Sequence, residues 1–139
     1  MTIPDHVVFD AEPLIAHADD ELGSDVVEEY LDAVAAEDTT GFACYVNLAE
    51  VRYTLARKYD RDIADEYLDW LFDLGLETVD VSNTWMEAAE YILTYNPALG
   101  DSFALAAAET VEATLLVGGD NDYDEISAIP IERFRDGTG

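Results

Sequence analysis

The chain has 139 residues, the length of one domain, and carries 32 Asp plus Glu against 6 Lys plus Arg, a formal net charge of −26 at pH 7. Half of it is hydrophobic and 11% is aromatic, enough to bury a core, so an acidic disordered tail is excluded. Cys44 is the only cysteine, and His6 and His17 are the only histidines, which excludes an internal disulfide and a Cys/His zinc site.

The acids are scattered rather than gathered in blocks. That pattern predicts a protein adapted to concentrated salt, where the Debye length falls to about 3 Å and repulsion between surface carboxylates is screened. No charged leader with an apolar segment is present, and no apolar stretch is long enough to span a bilayer. A cytoplasmic protein without a membrane partner is expected, in a compartment that keeps Cys44 reduced. One domain spanning residues 1–139 is predicted, with the tail 136–139 frayed.

Strands and helices alternate along the chain. His6 to Phe9 reads as a first strand, followed by a helical turn from Pro13 to His17. Ser24 is placed to cap a helix whose Val26, Val27, Tyr30, Leu31 and Val34 recur at helical spacing. Gly41 to Val46 reads as the second strand, with Cys44 buried in it. Leu48, Val51 and Leu55 form one face of the next helix, ending near Lys58. Asp60 can cap a following helix with Ile63, Ala64, Tyr67, Leu68 and Leu71 inward and Gly75 as its stop. Val79 and Val81 mark a third strand.

Ser82 is placed to cap a further helix with Trp85, Ala88, Ala89, Ile92 and Leu93 as the inward stripe. Asn96-Pro97 signals the next helix start. Thr114 to Val117 is a fourth strand and Ile126 to Ile131 a fifth, which Pro130 would keep at an edge. This alternation predicts an α/β three-layer sandwich, with a mostly parallel sheet of about five strands and helices on both faces.

Four acids occupy informative places in that pattern. Asp10 follows Val7-Val8-Phe9, and Asp120 ends the run Leu115-Leu116-Val117-Gly118-Gly119. Both therefore fall at carboxyl ends of parallel strands, the edge where open α/β sheets bind ligands. Glu50 sits in the opening turn of a helix, three residues after Asn47, a spacing that also suits a helix capping box. Asp101 opens a late helix, where any acid gains from the helix dipole. Carboxylates converging at one edge repel one another unless a divalent cation neutralises them. No G-x-S-x-G, P-loop or G-x-G-x-x-G is present, so serine-hydrolase, nucleotide-triphosphate and dinucleotide readings fall away.

The order of these pieces resembles the PIN-domain ribonucleases, and within them the VapC-type toxins of toxin–antitoxin pairs. The resemblance runs from about Val7 to Ile131: Asp after a first strand, Asn-x-x-Glu on a helix, Gly100-Asp-Ser-Phe-Ala-Leu-Ala-Ala-Ala108, and Leu115-Leu-Val-Gly-Gly-Asp-Asn-Asp-Tyr123. It implies a magnesium site, with manganese as the other candidate ion, held by Asp10, Glu50, Asp101 and Asp120 with Asp122 as an accessory. It also implies an RNA substrate, a cognate antitoxin and a homodimer. The chain departs from the family at Ala11 and Glu12, where small hydroxyl residues are usual, and at Gly118, where threonine is common. Such hydroxyls orient ligands or water, so their loss bears on turnover, and Glu12 is the candidate substitute.

The chemistry implied is hydrolysis of an RNA phosphodiester by metal-activated water, with one ion or two. Arg52 and Arg57 are the candidate phosphate contacts on an otherwise negative surface. Trp70 and Trp85 lie on apolar stripes as core or subunit contacts, and the apolar bulk from Tyr67 to Phe72 places Trp70 or Phe72 at a dimer surface. Two rival readings remain. Gly119-Asp-Asn-Asp-Tyr-Asp124 also fits the G-D-x-x-x-D of haloacid-dehalogenase-like phosphatases, with Asp10 as nucleophile, although Glu12 stands where that class has Asp and Lys58 is its only lysine. The other is a PIN fold that has lost catalysis and serves as a binding module.

Overall fold

A computed structural model describes residues 2–135. Five strands, β1 (His6–Phe9), β2 (Thr40–Cys44), β3 (Glu77–Val79), β4 (Thr114–Val117) and β5 (Ile131–Arg133), form one sheet in the order β3-β2-β1-β4-β5. Every pairing is parallel. Six α-helices occur among the described residues: α1 (Ala11–Ala18), α2 (Ser24–Ala35), α3 (Tyr45–Lys58), α4 (Arg61–Leu74), α5 (Trp85–Tyr95) and α6 (Leu99–Thr110). No helix among them is long and apolar enough to cross a membrane.

Strand side chains alternate between two cores, as a pleated sheet requires. Val7, Phe9, Ala43 and Leu116 join the cluster under α1 to α4. Val8, Cys44, Val79, Leu115 and Val117 point the other way and join Tyr91 of α5 and Ala104, Ala107 and Ala108 of α6. The helix–sheet–helix sandwich expected from the alternation is therefore present. In α6, Ser102 and Ala104 to Ala108 are all buried. Apart from Leu105, the side chains at those positions are small and let its backbone lie close on the sheet.

The strand order reverses at β1. From β1 the chain steps outward to β2 and β3, then crosses to β4 on the other side. The crevice at the carboxyl ends of β1 and β4 is thus the switch point where such sheets bind ligands. Phe9 pairs with Leu116, and Asp10 N–H still donates to Leu116 O at 3.0 Å. Asp10 consequently leaves the sheet beside the end of β4.

Several boundaries differ from expectation, each for a local reason. β2 stops at Cys44, its last pair being Cys44 with Val79, and Tyr45 already opens α3. Asn47 therefore lies inside the first turn and Glu50 in the second, so the two form no capping box. Gly23, at φ 88°, precedes α2 in the cap position, while Ser24 is its first residue and donates to Asp20 Oδ1. Val81 belongs to a 3-10 turn, Val81–Asn83, that Asp80 caps by accepting from Ser82 N–H. Ser82 is thus not the cap of α5. Helix α1 starts at Ala11, earlier than Pro13, because Asp10 caps it.

Helix α5 turns a different face inward than its apolar stripe implied. Ala88 and Tyr91 are buried, whereas Trp85 is 54% and Leu93 77% exposed and Ala89 faces solvent. Apolar residues cover too much of this helix for hydrophobicity alone to set its rotation. Asn96 ends α5 in the left-handed conformation, φ 57°, and Pro97 prevents its continuation, so α6 begins only at Leu99. Ile63 in α4 is likewise 43% exposed rather than inward. By contrast, Asp60 caps α4 by accepting from Ile63 N–H, and Gly75 ends it at φ 112°, both as expected. β5 begins only at Ile131; Ile126 and Ile129 pack into the second core from a loop, and Pro130 offers its carbonyl to Leu115 N–H beside the edge strand. The expected frayed tail, 136–139, lies outside the described residues.

Candidate active site at the carboxyl edge

Asp10 sits where β1 becomes α1 and is 5% exposed. Its Oδ1 accepts from Ala11 N–H at 2.8 Å and from Asn47 Nδ2 at 3.4 Å; its Oδ2 accepts from the Tyr123 hydroxyl at 2.7 Å. Burial, against the bonds from Tyr123 and Ala11 N–H and reinforced by the charges of Glu50 and Glu12, pushes its carboxyl up to about 6. Tyr123 is itself buried, which raises its hydroxyl far above the usual range and keeps it a donor.

Asp101 lies in the first turn of α6 and faces the same crevice. Burial first, then the charge of Asp10, pushes its carboxyl up to about 8. Its Oδ2 is buried and has no hydrogen-bond partner. Asp120 caps the 3-10 turn Asn121–Tyr123 by accepting from Asp122 N–H at 2.9 Å. Asp122 Oδ2 in turn accepts from Ala98 N–H at 2.9 Å, tying that turn to the amino end of α6. One carboxylate oxygen from each of Asp101, Asp120 and Asp122 lies within 4.8 Å of the others.

Glu50 and Asn47 approach from α3. Asn47 is fully buried, and its Nδ2 also donates to Gly100 O at 3.0 Å, while its Oδ1 has no partner. A Cβ at Gly100 would stand 2.7 Å from Glu50 Oε1, so glycine is what lets this carboxylate lean over the start of α6. Burial raises the Glu50 carboxyl above its ordinary value. The tight cluster is thus Asp101, Asp120 and Asp122, with Asp10 joined to it through Tyr123 and Glu50 through Gly100. Asp122, ranked an accessory from sequence, is as central as Asp120.

This arrangement fits a hard divalent cation. Asp101, Asp120 and Asp122 present oxygen acceptors to one another, and one of these, Asp101 Oδ2, is buried without a donor. An oxygen-seeking ion is the ligand that such a set favours, and it would remove the cost that keeps Asp101 protonated. Asn47 and Tyr123 were not singled out as site residues. The signals for them were the Asn of Asn-x-x-Glu, read as a cap, and the aromatic residue closing Gly-Asp-x-Asp-aromatic.

The remaining candidates lie elsewhere. Arg52 makes a two-point pair with Asp65 of α4, at 2.7 and 3.3 Å, and Arg57 stacks over the Tyr53 ring at 4.9 Å. Lys58 pairs with Asp19, at the far end of α1 from Asp10, and Asp124 pairs with Arg133. The lysine that a phosphatase of the aspartyl-nucleophile class needs is therefore not in the crevice. Trp70 and Phe72 are 43% and 41% exposed, and Trp70 stacks on His17 with ring centroids 5.6 Å apart.

Comparison with known proteins identifies the class. Residues 7–129 match the family model for the PIN domain, and the chain belongs to that family. Among solved structures it is similar to VapBC2 from Rickettsia felis bound to a DNA fragment from the promoter, with a TM-score of 0.76 and 16% identity over 92% of this chain and 98% of that one. A toxin–antitoxin complex from Klebsiella pneumoniae matches with a TM-score of 0.71 and 14% identity, over 94% of this chain and 98% of that one. DNA-bound VapBC from Salmonella typhimurium matches with a TM-score of 0.68 and 13% identity, over 93% and 98%. No curated protein gives a significant match.

Proposed function

We propose that the protein is a divalent-metal-dependent endoribonuclease, the toxin of a toxin–antitoxin pair, with Asp10, Glu50, Asp101, Asp120 and Asp122 holding magnesium or manganese. The observation that carries this reading is Asp101: a half-buried carboxylate with an unpartnered oxygen, beside Asp120 and Asp122, at the switch point of the sheet. Membership of the PIN family and the likeness to toxin–antitoxin structures support it.

The residues would divide the work as follows. A bound ion would polarise a phosphoryl oxygen and lower the pKa of its water. Asp101, Asp120 and Asp122 would supply the oxygen ligands and Glu50 would close the site from α3. Asp10 is held rigid by Ala11 N–H, Asn47 and Tyr123, so its carboxylate is oriented before any ligand arrives. Tyr123 keeps its proton and donates a hydrogen bond to Asp10 Oδ2, which restricts rotation of that carboxylate. Neither a histidine base nor a serine nucleophile is needed.

An acidic cleft of this kind can be silenced by an arginine of an antitoxin, which would displace the cation and pair with several carboxylates together. We place the protein in a salt-adapted cytoplasm as a homodimer, with the exposed Trp70 or Phe72 at the subunit contact. Binding RNA on so acidic a surface would rest on metal-bridged phosphates in molar salt, where long-range repulsion is screened. The test is cleavage of a single-stranded RNA with magnesium in high salt. Wild-type protein should cut it and Asp101→Asn should not. Release of phosphate from a phosphomonoester instead would favour the phosphatase reading.

A further inference from the structure

Glu12 is the second residue of α1, yet its carboxylate folds back over the end of β4. Its Oε2 accepts from Gly119 N–H at 3.3 Å and from Arg135 Nε at 3.3 Å. Gly118 is buried, and a Cβ built on it would lie 1.6 Å from Glu12 Oε2 and 2.0 Å from its Cδ. The φ of Gly118 is not in the left-handed region, so backbone conformation does not call for glycine there. Space does. The Glu12 head group occupies the volume that any side chain at 118 would fill.

The loop that follows is held from its other groups too. Arg133 Nη1 donates to Gly118 O at 2.7 Å and to Asp120 O at 3.0 Å. Arg135 meanwhile bonds Glu21 at 3.2 Å and Leu22 O at 3.0 Å, which anchors it and sets its positive charge against Glu12. One oxygen of Glu12, Oε2, therefore takes both the Arg135 guanidinium and a backbone N–H of the loop.

From this geometry we infer that Glu12 is a positioning residue, interlocked with Gly118, that fixes the Gly118–Asp120 loop and through it the Asp120 carboxylate. The inference rests on the metal-site reading for its consequence, since Asp120 is a proposed ligand. Arg135 pairs with Glu12 and offsets part of the charge that it brings near Asp10. Glu12 itself does not ligate the ion.

The interlock makes a prediction about pairs of substitutions. Glu12→Ala empties the volume and frees Gly119 N–H; Gly118→Ser in the native background forces the Glu12 head group out. Each single change should loosen the loop, and the double variant Glu12→Ala/Gly118→Ser, which refills the volume from the other side, should recover most of what either loses. Glu12→Gln keeps an acceptor of the same shape and should behave nearly as wild type.

Two readouts on the full chain separate this claim from the one beneath it. Amide hydrogen exchange of Gly119, in metal-free protein, should accelerate at least tenfold in Glu12→Ala and return toward the native rate in the double variant and in Glu12→Gln. Manganese titration should show binding weakened about 10- to 100-fold in Glu12→Ala, the usual cost of losing a group that orients ligands. Native exchange rates in Glu12→Ala, or a double variant no better than both singles, would overturn the positioning role. Failure of the wild type to bind manganese would instead refute the metal site, with the exchange data still judging Glu12.

Discussion

At the scale of the residue, the protonation of the buried Asp10 and the half-buried Asp101 governs behaviour without metal. In the native state Asp101 holds its proton up to about 8 and Asp10 up to about 6, whereas both ionise near 3.8 when unfolded. Between those values the native chain binds more protons than the unfolded one. Their contribution to stability is therefore complete below 3.8 and is lost as pH rises through 6 and then 8. Melting of metal-free protein across that range should show a steeper decline for wild type than for Asp101→Asn, and the variant should be the more stable at pH 8. Equal slopes would mean that Asp101 is not a strained carboxyl. The same variant, and Asp10→Asn, should lose more than about 100-fold in RNA cleavage, beyond the usual cost of altering an outer-sphere group.

Among elements, the amino end of α6 shows how backbone geometry serves the site. Gly100 is helical, so alanine there should leave the fold as stable or up to about 1 kcal/mol more so, while its Cβ displaces the Glu50 carboxylate. Gly100→Ala should accordingly raise or hold the melting temperature and weaken metal binding. A variant with native affinity would remove Glu50 from the site. Trp70→Glu tests the α4 surface: a dimer seen by light scattering in high salt should become monomeric, and a wild-type monomer at micromolar concentration would refute that contact.

The elements also show what was readable from sequence. Parallel strands β1 and β4 were legible because unbroken apolar runs end in an acid, and burying such runs on both faces dictates a sheet between helix layers. Asp10 and Asp120 were legible for the same reason. The end of β2 was not, because Tyr45 and Val46 suit a strand as well as the first turn of a helix, and the misplaced boundary turned Asn47 into a cap. Tyr123 was hidden because its partner, Asp10, lies 113 positions away. Glu12 and Gly118 read as departures until space showed that they fit one another.

For the whole molecule, the surface charge sets the conditions under which all this holds. A net charge of −26 on 139 residues opposes compaction unless salt screens it. Diluting potassium chloride from molar to millimolar should lower the melting temperature by many degrees, and a flat response would argue against salt adaptation. Because the sheet edge gathers acids whatever the solvent, a divalent ion should restore part of the stability lost on dilution. The Asp101→Asn protein should recover less.

The central claim, that the acids at the carboxyl edge form a metal site, is tested most directly by magnesium and manganese titration calorimetry at pH 7 in buffers of different ionisation enthalpy. An ion that binds Asp101 must displace its proton. Binding should therefore release about one proton per site in the wild type and close to none in Asp101→Asn, which should also bind far more weakly. Absence of binding by the wild type, or binding with undiminished affinity in Asp101→Asn, would contradict the account.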